Sequence, residues 1–387
     1  MLKKYILLLL MLSALLSLCG CNIFSGGGES LDINENSAYD SNLKQNKKGE
    51  FIFTWLSFME AAVTPKTDTE ASYREYISSC FEGMKSLGVT DCFFQVRPFG
   101  DAMYKSSVYP LSKYAGDGSF DVLQCVSSVA DEYGIGLHAW VNPYRLSDDT
   151  KEKDIIVTPS GKYLNPASDR TLTLILSGAR ELMKNYNLRG IHIDDYFYPP
   201  DMNSADEVQF KQYKEKGGFL SLSQWRRENV SALLQSLYMT VKSYGEDKLF
   251  TVSPSGDIDK NINQLYADVA LWCSEKGYCD IILPQLYFGF ENKHLPFEEV
   301  LSRWLRLSGD DGADLVPALA LYKAGQEDIY AGETGRDEWQ KSSDIISRQV
   351  QCLKSQGISS FGLYSASYIN FSKTFLSEEL NNLKSVI

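Results

Sequence analysis

Eight times along the chain a short run rich in β-branched and aromatic residues gives way to a longer stretch with helical periodicity, and this alternation restricts the fold more than any other feature. The strand patterns cover residues 51–57, 91–97, 136–142, 190–194, 249–254, 281–287, 315–321 and 360–365. Helical patterns occupy 71–87, 120–133, 169–186, 223–244, 261–276, 296–307 and 343–356, and a last one covers 371–384. Gly88, Gly134, Gly245, Gly277 and Gly357 stand where a helix must end before the next strand, the usual place for a left-handed cap. Eight βα units with no hairpin meander between them predict an α/β fold of the (β/α)8 TIM-barrel type rather than an open doubly wound sheet. No Gly-x-Gly-x-x-Gly and no Walker-type loop follows any strand, which argues against a nucleotide-binding sheet.

The first residues read as a processing signal. Lys3 and Lys4 precede an apolar run over 5–18 that is short for a membrane span, and the run ends at Leu18-Cys19-Gly20-Cys21. Residues 1–20 are therefore expected to be a lipoprotein signal peptide, with Cys21 as the lipidated cysteine. Cys19 fits less well, because bulky Leu18 precedes it where a small residue is wanted. An ordinary secretory peptide or an uncleaved anchor are the alternatives. Residues 21–49 are rich in Gly, Ser, Asn, Asp and Lys, and such a composition buries too little apolar surface to fold, so a flexible linker is expected. Residues 50–387 then form the barrel domain, tethered to the membrane outside the cytoplasm.

Fifty acidic against 38 basic residues give a formal net charge of −12. With no basic stripe to interrupt it, this balance argues against nucleic acid as a partner and suits a neutral or weakly charged glycan. Besides Cys19 and Cys21, the cysteines are Cys80, Cys92, Cys125, Cys273, Cys279 and Cys352, and the histidines are His138, His192 and His294. None has a zinc-type spacing, so no metal and no cofactor is expected, and the cysteines read as buried thiols. A Cys273–Cys279 disulfide stays open, and no feature fixes an oligomeric state.

A TIM barrel gathers its chemistry at the C-terminal ends of its strands. Strand four carries Gly190-Ile191-His192-Ile193-Asp194-Asp195, in which apolar Ile191 and Ile193 alternate with His192 and Asp194 and two adjacent carboxylates end the run. An aromatic loop, Tyr196-Phe197-Tyr198-Pro199, follows. Paired carboxylates beside sugar-sized aromatic surface are the working parts of a glycosidase, so Asp194 and Asp195 are the catalytic candidates. One must stay protonated near neutral pH while the other stays ionised, and Arg97 or Arg145 would hold down the ionised one. Asp195 also reads as a loop cap.

Strand seven ends Leu319-Ala320-Leu321-Tyr322-Lys323 without an acid, so a second carboxylate would come from Asp101, Asp257 or Glu291. Alternatively, an N-acetyl group on the substrate replaces the protein nucleophile. The substrate-binding candidates are Arg97, His138, Trp140, Asn142, Tyr144, Arg145, His192, Tyr196, Gln285, Tyr287 and Tyr364. Alternation aims Gln95 with Arg97, His138 with Trp140 and Asn142, and Gln285 with Tyr287 at a common centre. Trp140, Tyr144, Tyr196, Phe197, Tyr198 and Tyr287 would either stack on sugar faces or pack loops, and Trp55 is expected in the barrel core. His138 and His192 read as hydrogen-bonding linings, and Arg97 and Arg145 as a carboxylate clamp or as structural ion pairs.

The runs QVRPFGDAMY, HAWVNPYR, YLNPASD, GIHIDDYFYP and PQLYF, in this order, resemble the glycosyl-hydrolase-10-like bacterial lipoproteins, also called the DUF187 or YngK-like family. The resemblance extends from Phe51 to the last strand. In that family an aromatic such as Trp often follows the tyrosine of the strand-six motif, where this chain has Phe288. The resemblance implies a hydrolase of peptidoglycan-type or related amino-sugar glycan. Two rival readings use the same residues: a non-catalytic glycan-binding lipoprotein, and a hydrolase of dietary or host polysaccharide.

Overall fold

The computed structural model describes residues 49–199, 202, 204–369 and 374–387. The expected signal peptide (1–20), the lipidation site Cys21 and all of the 21–49 linker but Gly49 lie outside the described residues, as does the first turn expected of the last helix.

Eight parallel strands form the core: β1 Ile52–Leu56, β2 Asp91–Arg97, β3 Gly136–Val141, β4 Gly190–Ile193, β5 Leu249–Val252, β6 Ile281–Ile282, β7 in two pieces (Asp314–Leu315 and Ala318–Leu319) and β8 Phe361–Leu363. The first piece of β7 pairs with β6 and the second with β8, while β8 pairs with β1. Ala318 bridges both Gln285 and Gly362, so the sheet closes on itself as a TIM barrel. The strands β5, β6 and β7 are shorter than their sequence patterns because Pro254, Pro284 and Pro317 offer no N–H to a ladder. The ring survives because Val316 and Ala318 donate to the carbonyls of Ile282 and Pro284, both at 2.9 Å.

The outer layer is made of α1 Glu70–Ser86, α2 Val122–Tyr133, α3 Asp169–Asn185, α4 Leu222–Lys242, α5 Val269–Ser274, α6 Phe297–Leu307, α7 Ile345–Ser355 and α8 Thr374–Lys384. Thr69 and Ser221 start α1 and α4 with reciprocal capping boxes, and Asp121 caps α2. Gly134 ends α2 in the left-handed conformation (φ 66°), and the other four helix-closing glycines also have positive φ. Gly190 is needed for a different reason. A Cβ there would meet the Leu249 carbonyl oxygen at 1.7 Å, so the absence of a side chain is what lets β4 and β5 approach.

Among the departures from the sequence reading, three lie in the loops, one of them a helix Glu207–Glu215 between β4 and α4. The connection after β3 is not a plain βα loop but carries a three-stranded antiparallel sheet of Arg145–Leu146, Ile155–Thr158 and Gly161–Leu164. Its tight turn at Pro159-Ser160 was the local signal for it. The helix expected over 261–276 is broken: a wide turn Asn261–Leu265 stops at Tyr266 in the left-handed region (φ 51°), and α5 restarts behind the Asp268 cap.

Two cores result. Inside the barrel, Phe51, Phe53, Trp55, Phe93, Trp140, Leu249, Ile281, Leu283, Val316 and Ala318 fill the lumen, as expected for Trp55. The larger core lies between strands and helices. Among the described residues, Cys80, Cys92, Cys125, Cys273, Cys279 and Cys352 form no disulfide, so Cys273 and Cys279 are not bridged. Among the described residues, no helix is long and apolar enough to cross a membrane.

Candidate active site

Side chains two residues apart on one strand face are about 6.6 Å apart along it, so the lumen is built in tiers. On the floor, the His138 ring nitrogen Nε2 meets the Asp91 carboxylate at 3.0 Å, and Phe93 covers the imidazole edge-on. In the middle tier, His192 stacks on Phe93 at 3.8 Å between ring centres. Trp55 Nε1 donates to His192 Nε2 at 3.0 Å, which places the imidazole proton on Nδ1, facing the Thr251 hydroxyl at 2.8 Å. Burial, with His138 adding, pushes the His192 pKa well below the usual value, so the ring is neutral.

The top tier holds the carboxylates. Asp194, only 3% exposed, accepts from Trp140 Nε1 at 3.0 Å and from the Tyr196 backbone N–H at 3.4 Å. Burial drives its pKa well above the carboxylate range, and the neighbouring charge of Asp195 drives it further. Asp195 is partly exposed and faces a different set of partners. Burial raises its pKa too, but Lys260 and a hydrogen bond from Gln285 act in the opposite direction. The pair is therefore unequal: both carboxyls are raised by burial, Asp194 well above the usual range and Asp195 less so because Lys260 and Gln285 counter the effect, which is the kind of asymmetry acid–base chemistry needs.

Around the pair stand Tyr287, Tyr322 and Tyr364, with ring centres 5.8–5.9 Å apart. Burial and the two aspartates keep the Tyr287 hydroxyl protonated. At the rim, the Arg145 guanidinium lies 4.9 Å from the ring centre of Tyr196, which is 41% exposed. A cavity of about 650 Å³ opens beside Asp195, walled by Tyr163, Tyr196, Tyr266, Lys260 and Arg226 among others, a size that suits a small ligand. Arg226 binds Asp206 through two nitrogens at 2.8 and 2.5 Å and donates to the Tyr266 hydroxyl at 2.8 Å, tying the loops after β4 and β5 to α4.

Asp194, Asp195, Trp140, Arg145, Tyr196, Gln285, Tyr287 and Tyr364 thus converge on the mouth. Five other candidates do not. A β-bulge between Gln95 and Arg97 turns Arg97 to the helix side, where it lies 4.6 Å from the Tyr109 ring centre and donates to the carbonyls of Asn142 and Pro143. Strict alternation past that bulge put it in the lumen. His138 is at the floor and His192 beneath the aspartates, so neither lines a substrate surface. Tyr144 is buried in the outer core, and Asn142 is buried against Gln95, whose amide donates to it at 3.2 Å.

Phe197 and Tyr198 pack outward on Trp272 and Tyr266. Trp140 holds Asp194 rather than offering a stacking face. Of the proposed second carboxylates, Asp101 accepts from the Phe99 N–H, Asp257 caps a helical turn, and Glu291 is exposed beside Glu338. Among the described residues, no hydrogen bond joins any of the three to the aspartate pair. Lys260, Tyr322 and Arg226 were missed. Lys260 stands three residues beyond Asp257, a capping pattern whose significance depends on which loop it faces.

The sequence matches the family described as Glycosyl hydrolase-like 10 over residues 55–307. It is 28% identical over 316 residues to glycosyl hydrolase DigH of Escherichia coli K12, covering 70% of this chain and 71% of that protein. It is 29% identical over 287 residues to glycosyl hydrolase YngK of Bacillus subtilis 168, covering 65% of this chain and 56% of that protein. The fold superimposes on the PgaB (BpsB) glycoside hydrolase domain of Bordetella bronchiseptica with a TM-score of 0.59 at 14% identity, over 87% of this chain and 99% of that domain. With the barrel, the paired acids at its mouth and a match over most of the chain in hand, the protein belongs to the glycosyl hydrolase-like 10 family of glycosidases.

Proposed function

We propose that the protein hydrolyses an amino-sugar glycan of the cell-wall type outside the cytoplasm, held to the membrane by a lipid on Cys21, with Asp194 as proton donor and Asp195 as its ionised partner. The observation that carries this reading is the unequal setting of the two neighbours: Asp194 is buried on Trp140, whereas Asp195 opens to the cavity beside Lys260 and Gln285.

Strand seven ends without an acid, and an N-acetyl group of the substrate supplies the nucleophile. Asp194 protonates the glycosidic oxygen as the acetamido carbonyl oxygen attacks C1 and the C1–O bond breaks. Asp195 accepts a hydrogen bond from the acetamido N–H and offsets the positive charge of the oxazolinium ring. Water then adds at C1, its proton passing to the now ionised Asp194, and the ring opens. The scheme predicts turnover of N-acetylated oligosaccharides and strong inhibition by an amino-sugar thiazoline. Equal turnover of glucosyl and N-acetylglucosaminyl substrates would overturn it.

A further inference from the structure

Lys260 is the cation that lines the same cavity as Asp195 and makes no ion pair within 4 Å among the described residues, whereas Arg226, the other cation of that wall, is tied to Asp206. It sits on the single helical turn Ile258–Lys260, in a segment fixed at several points. Asp257 Oδ1 accepts the backbone N–H groups of Asp259 and Lys260 at 3.0 and 3.2 Å. Asn261 Nδ2 donates to the Ser255 carbonyl at 2.7 Å, and Trp304 Nε1 to the Gly256 carbonyl at 2.8 Å. A Cβ on Gly256 would stand 2.3 Å from the Gln285 carbonyl oxygen, so the turn is pressed against the strand end that also presents Gln285 to Asp195. A flexible lysine thus grows from a rigid base.

We propose that Lys260 is the resident counter-charge of Asp195, a positioning residue that acts on this carboxylate across the shared cavity and favours its ionised form, and that Asp257 serves the site by capping the turn that carries Lys260. The proposal rests on the assignment of Asp195 as the ionised partner. The groups facing Asp195 are Asp194 on the same strand end, Lys260 after β5, Gln285 after β6, and the hydroxyls of Tyr196 and Tyr287. Lys260 is the cation in this set, and its electrostatic effect on Asp195 runs in the direction required. The sign follows. Asp195 works ionised, so activity is lost as pH falls through its pKa; removing the ammonium raises that pKa and moves the acid limb to higher pH.

The test is the pH dependence of kcat/KM for the full-length enzyme and its Lys260→Met, Lys260→Arg, Asp257→Ala and Asp257→Asn variants, each checked for native folding by circular dichroism. The acid limb should move up by about one pH unit in Lys260→Met, with Lys260→Arg restoring most of the shift. Asp257→Asn, which keeps a capping oxygen, should shift the limb less than Asp257→Ala. A folded Lys260→Met with an unmoved acid limb overturns the proposal, since a lysine that only packs the loop would change KM or stability and leave the limb in place. Asp195→Asn is measured alongside: if it keeps full turnover, the assignment of Asp195 itself has failed, whatever Lys260 does.

Discussion

Asp194 and Asp195 share a peptide bond and little else. The side chain of Asp194 turns into the lumen onto the Trp140 indole, and that of Asp195 turns toward Gln285 and Lys260. Burial and the charge next door raise the Asp194 pKa above its unfolded value, so its contribution to stability is complete below the ordinary carboxyl pKa of about 4 and falls as pH rises through the raised one. Asp194→Asn stays neutral, and its Tm should gain on wild type as the pH is raised from about 4. Thermal melts above that pH check this; parallel curves would contradict it. Removing the neighbouring charge should act on catalysis as well. In the residual activity of Asp195→Asn the alkaline limb should move to lower pH, and a carbon-13 carboxyl titration of Asp194 should follow it. The two carboxylates were legible in the sequence because a polar residue on a lumen-facing strand position needs a reason. Arg97 was misplaced because a bulge leaves no mark in a run of alternating residues.

Elements set how firmly that chemistry is held. Gly190 lets β4 lie against the Leu249 backbone, and Gly190→Ala would push β4 away four residues before Asp194. The variant should lose several-fold in kcat and melt well below wild type, measured by calorimetry and steady-state rates. Arg226 and Asp206 are a buried pair, and Arg226→Met leaves the carboxylate without its partner, at a cost of about 3–5 kcal/mol. Chemical denaturation should show that loss, with KM raised because the cavity wall behind Asp195 loosens. Strand and helix order could be read from periodicity because each element has one buried face. The antiparallel sheet after β3 and the break before α5 could not be read in this way. Their residues satisfy local turn and cap geometry, which is decided by contacts distant in sequence, as between Arg226 and Tyr266.

For the whole molecule, the barrel closes through a strand that Pro317 interrupts, and closure brings the loops after β4, β5, β6 and β8 round one mouth. If the proposed lipid on Cys21 is the anchor, Cys21→Ala should release the protein from membranes while leaving kcat and KM of the barrel unchanged, which fractionation and assay of the soluble pool check. A variant still bound tightly to membranes would mean that the apolar run at 5–18 stays as an anchor. The central claim is that Asp194 delivers the proton to the leaving group, and leaving-group dependence tests it most directly. Asp194→Asn should lose about a thousandfold in kcat/KM on an N-acetylated oligosaccharide, yet far less on an aryl N-acetylglucosaminide whose phenol departs without protonation. Asp195→Asn should lose turnover of both. Equal losses on the two substrates in a folded Asp194→Asn protein, or undiminished turnover of the oligosaccharide, would contradict the account.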